Sequence, residues 1–236
     1  MTGKADDVDA SLLALGNSLC REVDVGGLFA RSKVAHKWKA PWRALLLREA
    51  VAWRLQELLA QSRTLQLSGG VLGARILLRS AFETLAMLVY LNDAMRGVVA
   101  RRLDFHEFSA KTTRLLLGSK DGSTGHESIN ILTILSKADK FYPGLEGWYA
   151  ALSESAHPNH EGMTLGYSTN DRDNYVTHFG SQWETMYGKT HASAIMACLV
   201  VFHGEYNDAW PAAFEELETW IEHNDAALES SKPRDA

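Results

Sequence analysis

Two cysteines in 236 residues, Cys20 and Cys198, are too few and too far apart for a disulfide framework. Neither has a neighbour at the Cys-x-x-Cys spacing of a zinc or redox site, so a reducing cytoplasm is the expected setting. There are only five prolines, with long gaps between them, and long uninterrupted helices are therefore permitted. Basic residues do not prevail: 24 Lys and Arg against 29 Asp and Glu give a net charge of -5, which argues against broad attraction to phosphate backbones. No apolar run approaches the roughly 20 residues of a membrane span, and the acidic start, Met1 to Ala10, is unlike a secretory signal. No membrane partner is expected. A Gly-rich phosphate loop, a Gly-x-Ser-x-Gly elbow and a His-Glu-x-x-His pair are missing too, which counts against nucleotide hydrolysis, serine hydrolysis and zincin chemistry.

What is present is apolar residues, 46% of the chain, recurring at spacings of three and four. The fold class they predict is all-α, a bundle of about seven or eight helices, with a single domain over 1–236 as the simplest reading and a polar tail from about 229. A first helix is expected from about Val8 to Val23, with Leu12, Leu13, Leu15 and Leu19 as its stripe and Gly26-Gly27 beyond its end. A basic connector follows, Arg31, Lys33, Lys37, Lys39 and Arg43, read as a solvated loop with Trp38 and Trp42 packing inward; the alternative is a basic and aromatic patch for single-stranded nucleic acid. Pro41 suits the first turn of a long helix ending near Gln66, and Ser68-Gly69-Gly70 makes a turn.

The next helix, Val71 to about Met95, is apolar nearly all round, with Gly97 as its stop. Further helices are expected at about Val98 to Leu117, Ile129 to Phe141, Leu145 to Ala156, Gln182 to Asp208 and Ala212 to Leu228. Between Asn159 and Gly180 the helical period disappears, and Thr164 to Thr169 with Asn174 to Thr177 read as two short extended segments.

One pair of segments carries the candidate chemistry. Arg75, Arg79 and Glu83 recur at spacings of four on the most apolar helix, where ions need partners. Arg79 and Glu83 can satisfy each other in part, but a guanidinium has five donors, so an acceptor from another helix is expected; the alternative is a solvated polar stripe. On the second segment Tyr149, Ser153 and His157 share a helical face. Pro158 forces His157 out of the helical region, placing it at a helix C-terminus where the dipole favours a protonated ring. A general acid or base, a ligand anchor and a structural cap all fit that position. His157, Arg79 and Glu83 are the candidate catalytic residues; Arg75, Tyr149, Ser153, Asn159 and His160 are the candidate ligand contacts.

The pattern Leu78-Arg79-Ser80-x-x-Glu83, with Leu152-Ser153-Glu154-x-x-His157-Pro158-Asn159-x-x-Gly162, resembles a group of uncharacterised bacterial all-helical proteins distantly similar to HEPN-type helical domains. The resemblance spans about Val71 to Gly180 in outline. It implies a helical bundle, no established activity, and a setting in bacterial stress or phage defence. HEPN-type nucleases carry an Arg followed after four to six residues by a His, as in Arg31 to His36, Arg101 to His106 and Arg172 to His178. Three such pairs are no surprise in a chain with nine histidines.

The leading expectation is a helical module that binds a small molecule or a protein partner, without cofactor or resident metal. The alternative is a HEPN-like, metal-independent ribonuclease acting on RNA through His157 or His106. A third reading is a metal-dependent enzyme using Glu83, Glu154 and His157. The acidic helix face with Glu215, Glu216, Glu218 and Glu222 is read as solvated, or else as meeting a basic partner. The sequence leaves both a monomer and a homodimer open.

Overall fold

The computed structural model describes residues 3–233, with side chains from Asp7 onward. Among the described residues there are nine α-helices and one two-stranded hairpin, so the fold is all-α as the periodicity predicts. In chain order these are α1 (Gly3–Ser18), α2 (Val25–Arg31), α3 (Lys39–Leu67), α4 (Val71–Val99), α5 (Phe105–Leu117), α6 (Ile131–Asp139), α7 (Leu145–Ala156), β1 (Ser168–Asp171), β2 (Val176–Phe179), α8 (Lys189–His203) and α9 (Trp210–Ser230). Three π-helical turns lie between them, at His160–Leu165, Glu184–Gly188 and Gly204–Ala209. Of the polar tail expected from 229, the first two residues close α9, and residues 234–236 lie outside the described residues.

The chain groups into two compact units. The first comprises the chain up to Ser18, Trp53–Leu85 and Tyr142–Val201. Its core buries Val8, Leu12 and Leu15 of α1, Leu55 and Leu59 of α3, Leu78, Ala81 and Leu85 of α4, Leu152 of α7, and Ile195, Cys198 and Leu199 of α8. Leu13, expected in the α1 stripe, is instead exposed, because the buried positions 8, 12 and 15 define a face that it does not share. The insert after α7 holds the hairpin, with Ser168 opposite Phe179 and Asp171 opposite Val176.

The second unit comprises Leu19–Ala52, Ala86–Phe141 and the chain from Phe202 onward. Its portion of α4 buries Ala86, Leu88, Val89, Leu91, Met95 and Val98, which is the all-round apolarity read from the sequence. Three expectations are corrected here. Gly26 and Gly27 do not follow a helix; they lie inside α2, where a Cβ on Gly27 would meet the Asp24 carboxylate at 2.8 Å. Gly97 does not stop α4, and α5 starts only at Phe105, because Asp104 caps it by accepting from the backbone N–H of His106 and Glu107. The residues between form a turn in which Arg101 takes φ +57°.

The charged face of α9 also differs from the expectation. Glu218 is not on a solvated face: it is 5% exposed and meets Arg31 at 2.5 Å and the His36 ring at 2.6 Å. Glu222 accepts from Ser32, and Lys37 meets Asp225 and Glu229 of the same helix. The basic connector and the acidic helix thus complement each other within one chain. Trp38 donates to Asp225 and sits edge-on to Phe105, whereas Trp42, also expected inside, is exposed. Because removal of Glu218 strands a buried His36 and a guanidinium, Glu218→Ala is expected to destabilise the second unit by about 3 kcal/mol. Thermal unfolding followed by circular dichroism checks this.

Candidate functional site

The acceptors that the α4 arginines require come from α7. Arg79 Nε donates to Ser153 Oγ at 2.9 Å and its Nη2 to the Tyr149 hydroxyl at 2.5 Å, with Glu83 Oε1 at 3.2 Å from the same nitrogen. Both members of the Arg79–Glu83 pair keep about a quarter of their side chains exposed. Arg75, one turn earlier, is buried: Nε donates to Ser155 Oγ at 2.7 Å, Nη2 to the Ala151 carbonyl at 3.0 Å, and the guanidinium lies 3.5 Å above the Tyr187 ring. Ser155 Oγ in turn donates a hydrogen bond to Glu161 Oε1 at 2.6 Å. Burial, and next the hydrogen bond with Glu161, hold the Tyr187 phenol above its ordinary pKa. Burial holds the Arg75 guanidinium below its ordinary pKa, with Tyr187 and Glu161 opposing the shift only in part.

The turn after α7 explains its own motif. His157 caps the helix in extended conformation (φ −91°, ψ 147°), as Pro158 requires. Asn159 donates to Glu154 at 2.5 Å while its Oδ1 accepts the Gly162 N–H at 2.9 Å, starting the π-helical turn. A Cβ on Gly162 would sit 2.0 Å from the His157 carbonyl oxygen, so only glycine fits. Glu161 is thereby delivered to Ser155. Every residue of Ser-Glu-x-x-His-Pro-Asn-x-x-Gly that the sequence singled out thus has a backbone or hub role, apart from the His157 ring. That ring is exposed and makes no hydrogen bond or ion pair with Arg79 or Glu83; His160 is exposed as well.

The structure therefore joins Arg75, Arg79, Glu83, Tyr149 and Ser153 and leaves His157 and His160 at the rim. Among the described residues no three His, Cys, Asp or Glu side chains converge as metal ligands, so Glu83, Glu154 and His157 do not form such a group. The Arg-to-His pairs are spread out. Arg101 lies in the turn before α5, not within one helix with His106, whose ring sits edge-on to Trp38. Arg31 and His36 are both taken up by Glu218, and Arg172 and His178 belong to the hairpin region.

Two buried polar groups escaped the sequence reading. In the first unit Ser62 donates to the Ala74 carbonyl, so the His191 ring donates from Nε2 to Ser62 Oγ at 2.8 Å and its Nδ1 is left without a partner. In the second, Arg48 lies 3.7 Å above the Tyr206 ring and pairs with Glu49, which also accepts from the Tyr206 hydroxyl; nearby Asn92 donates to Glu205 at 2.6 Å. Asn92 was the readable signal, an amide that with Asp93 interrupts the apolar stretch Leu88 to Met95. Glu205 and Tyr206 were not readable, because the π-helical turn carrying them breaks the 3.6-residue period.

No family model, curated protein or solved structure matches the chain.

Burial, and after it the charges of Arg75 and Arg63, push His191 down to about 4. The unfolded chain takes up a proton near pH 6.5 that the folded ring refuses. Stability is thus expected to fall by about 3 kcal/mol as pH drops through the window from 6.5 to 4. His191→Gln should flatten that slope in urea unfolding measured across the window.

Proposed function

We propose that this protein is a helical binding module that associates with a second copy of itself through the hairpin. What supports this is the exposure of apolar residues there: Tyr175 is 95% and Phe179 84% exposed, with Val176, Met163 and Leu165 also open to solvent. Strands of four residues in a two-stranded sheet are marginal by themselves in water. The outer edge of β2 offers unpaired backbone groups, a template for another strand.

The sequence of β2 favours its own copy. An antiparallel two-fold pairing centred on His178 sets Thr177 opposite the second copy's Phe179, twice on one sheet face. Aromatic and β-branched cross-strand pairs of this kind are stabilising. The Arg75 and Arg79 network serves this surface by holding the segment that leads into the hairpin. The likeness to HEPN-type helical domains suggests bacterial stress or phage defence as the setting for such an assembly.

Sedimentation velocity over a micromolar concentration series tests the proposal. The expected outcome is a reversible dimer, weakened about tenfold or more by Phe179→Asp with helicity unchanged. A monomer throughout the series, or a dimer indifferent to Phe179→Asp, overturns it.

A further inference from the structure

The second unit contains a cleft of about 320 Å³ lined by Tyr90 and Asp93 of α4, Arg102 of the following turn, Glu107 and Lys111 of α5, and Lys137 of α6. That volume suits a small molecule of a few heavy atoms. Tyr90 is only 9% exposed, and its hydroxyl has no hydrogen-bond partner among the described residues. A phenol whose ring is buried while it lines a cleft can donate to a ligand bound there.

The charges have the same sense. Lys111 is taken by Glu107 one turn away on α5, while Arg102 stands 3.7 Å from Asp93, beyond hydrogen-bond reach. Lys137 has no ion pair among the described residues. Three cations against two carboxylates leave the cleft with one positive charge in excess, and the excess sits on Lys137 and the loosely held Arg102. The backbone fixes the second of these. Arg101 adopts φ +57°, a left-handed conformation costly for a residue with a Cβ, while the N–H groups of Arg102 and Leu103 both return to the Gly97 carbonyl, at 2.8 and 3.1 Å. The turn thereby aims Arg102 back along α4 toward the Tyr90 side.

We infer that this cleft binds a small singly charged oxyanion, a carboxylate or a phosphate, with the Tyr90 hydroxyl and the Lys137 ammonium as its principal donors and Arg102 closing over it. Asp93 and Glu107 limit the charge that the site accepts, so polyphosphates and nucleic acid are disfavoured.

Titration calorimetry of the full chain at about pH 6, where inorganic phosphate is mainly the monoanion, with phosphate and separately with acetate, tests it. The expected result is saturable one-site binding of at least one of the two; whichever binds identifies phosphate or carboxylate as the recognised group. Lys137→Met, at an exposed position that leaves the fold intact, should weaken that binding about tenfold, and Tyr90→Phe about fivefold. Absence of saturable binding for both anions overturns the inference. So does binding that either variant leaves unchanged.

Discussion

A guanidinium buried in an apolar helix cannot be left without acceptors, and the first unit is arranged around that constraint. Arg75 takes the Ser155 hydroxyl, the Ala151 carbonyl and the face of Tyr187, and Arg79 takes Ser153, Tyr149 and Glu83. Five of these six partners are outside α4, and four belong to α7 alone. The arginines therefore fix where α7 lies against α4, and through Ser155 and Glu161 they fix the turn that follows. Helix positioning by charge-assisted hydrogen bonds is directional in a way that apolar contact is not.

The π-helical turns are the means by which this constraint is met. The turn at His160–Leu165 carries Glu161 and that at Glu184–Gly188 carries Tyr187, so the two residues completing the Arg75 environment both come from widened backbone. The third turn, Gly204–Ala209, does the same in the second unit with Glu205 and Tyr206. In each case the extra residue per turn shifts the side-chain register, delivering a polar group to a buried face that regular helix would fill with an apolar one. The close approach of Gly166 to Trp183, 2.4 Å from a built Cβ, shows how tightly the first two turns are packed.

The second unit answers a similar constraint with ions. Glu218 is buried because His36 and Arg31 reach it from a connector that by composition alone reads as a solvated basic stretch. Neither the acidic face of α9 nor the basic connector is informative by itself; their complementarity exists only once both are in place. That pairing gives Arg31, Lys37 and His36 carboxylate partners on α9.

Much of the helical content was legible because it rests on local causes. The long gaps between prolines, the three-and-four spacing, the Ser68-Gly69-Gly70 turn with Gly69 at φ +80°, and the end of α7 at Ala156 before Pro158 are properties of neighbouring residues, and the sequence determined them unaided. So too was the alignment of Arg75, Arg79 and Glu83 on one face, and the need for acceptors from elsewhere. Which acceptors these are, Ser155 for Arg75 and Glu218 for His36, was decided only by tertiary structure, since the partners are 80 and 182 positions away along the chain. The same holds for the exposed His157 ring. Its place at a helix end followed from Pro158, but whether anything faced it depended on how other segments pack, and no local pattern records that.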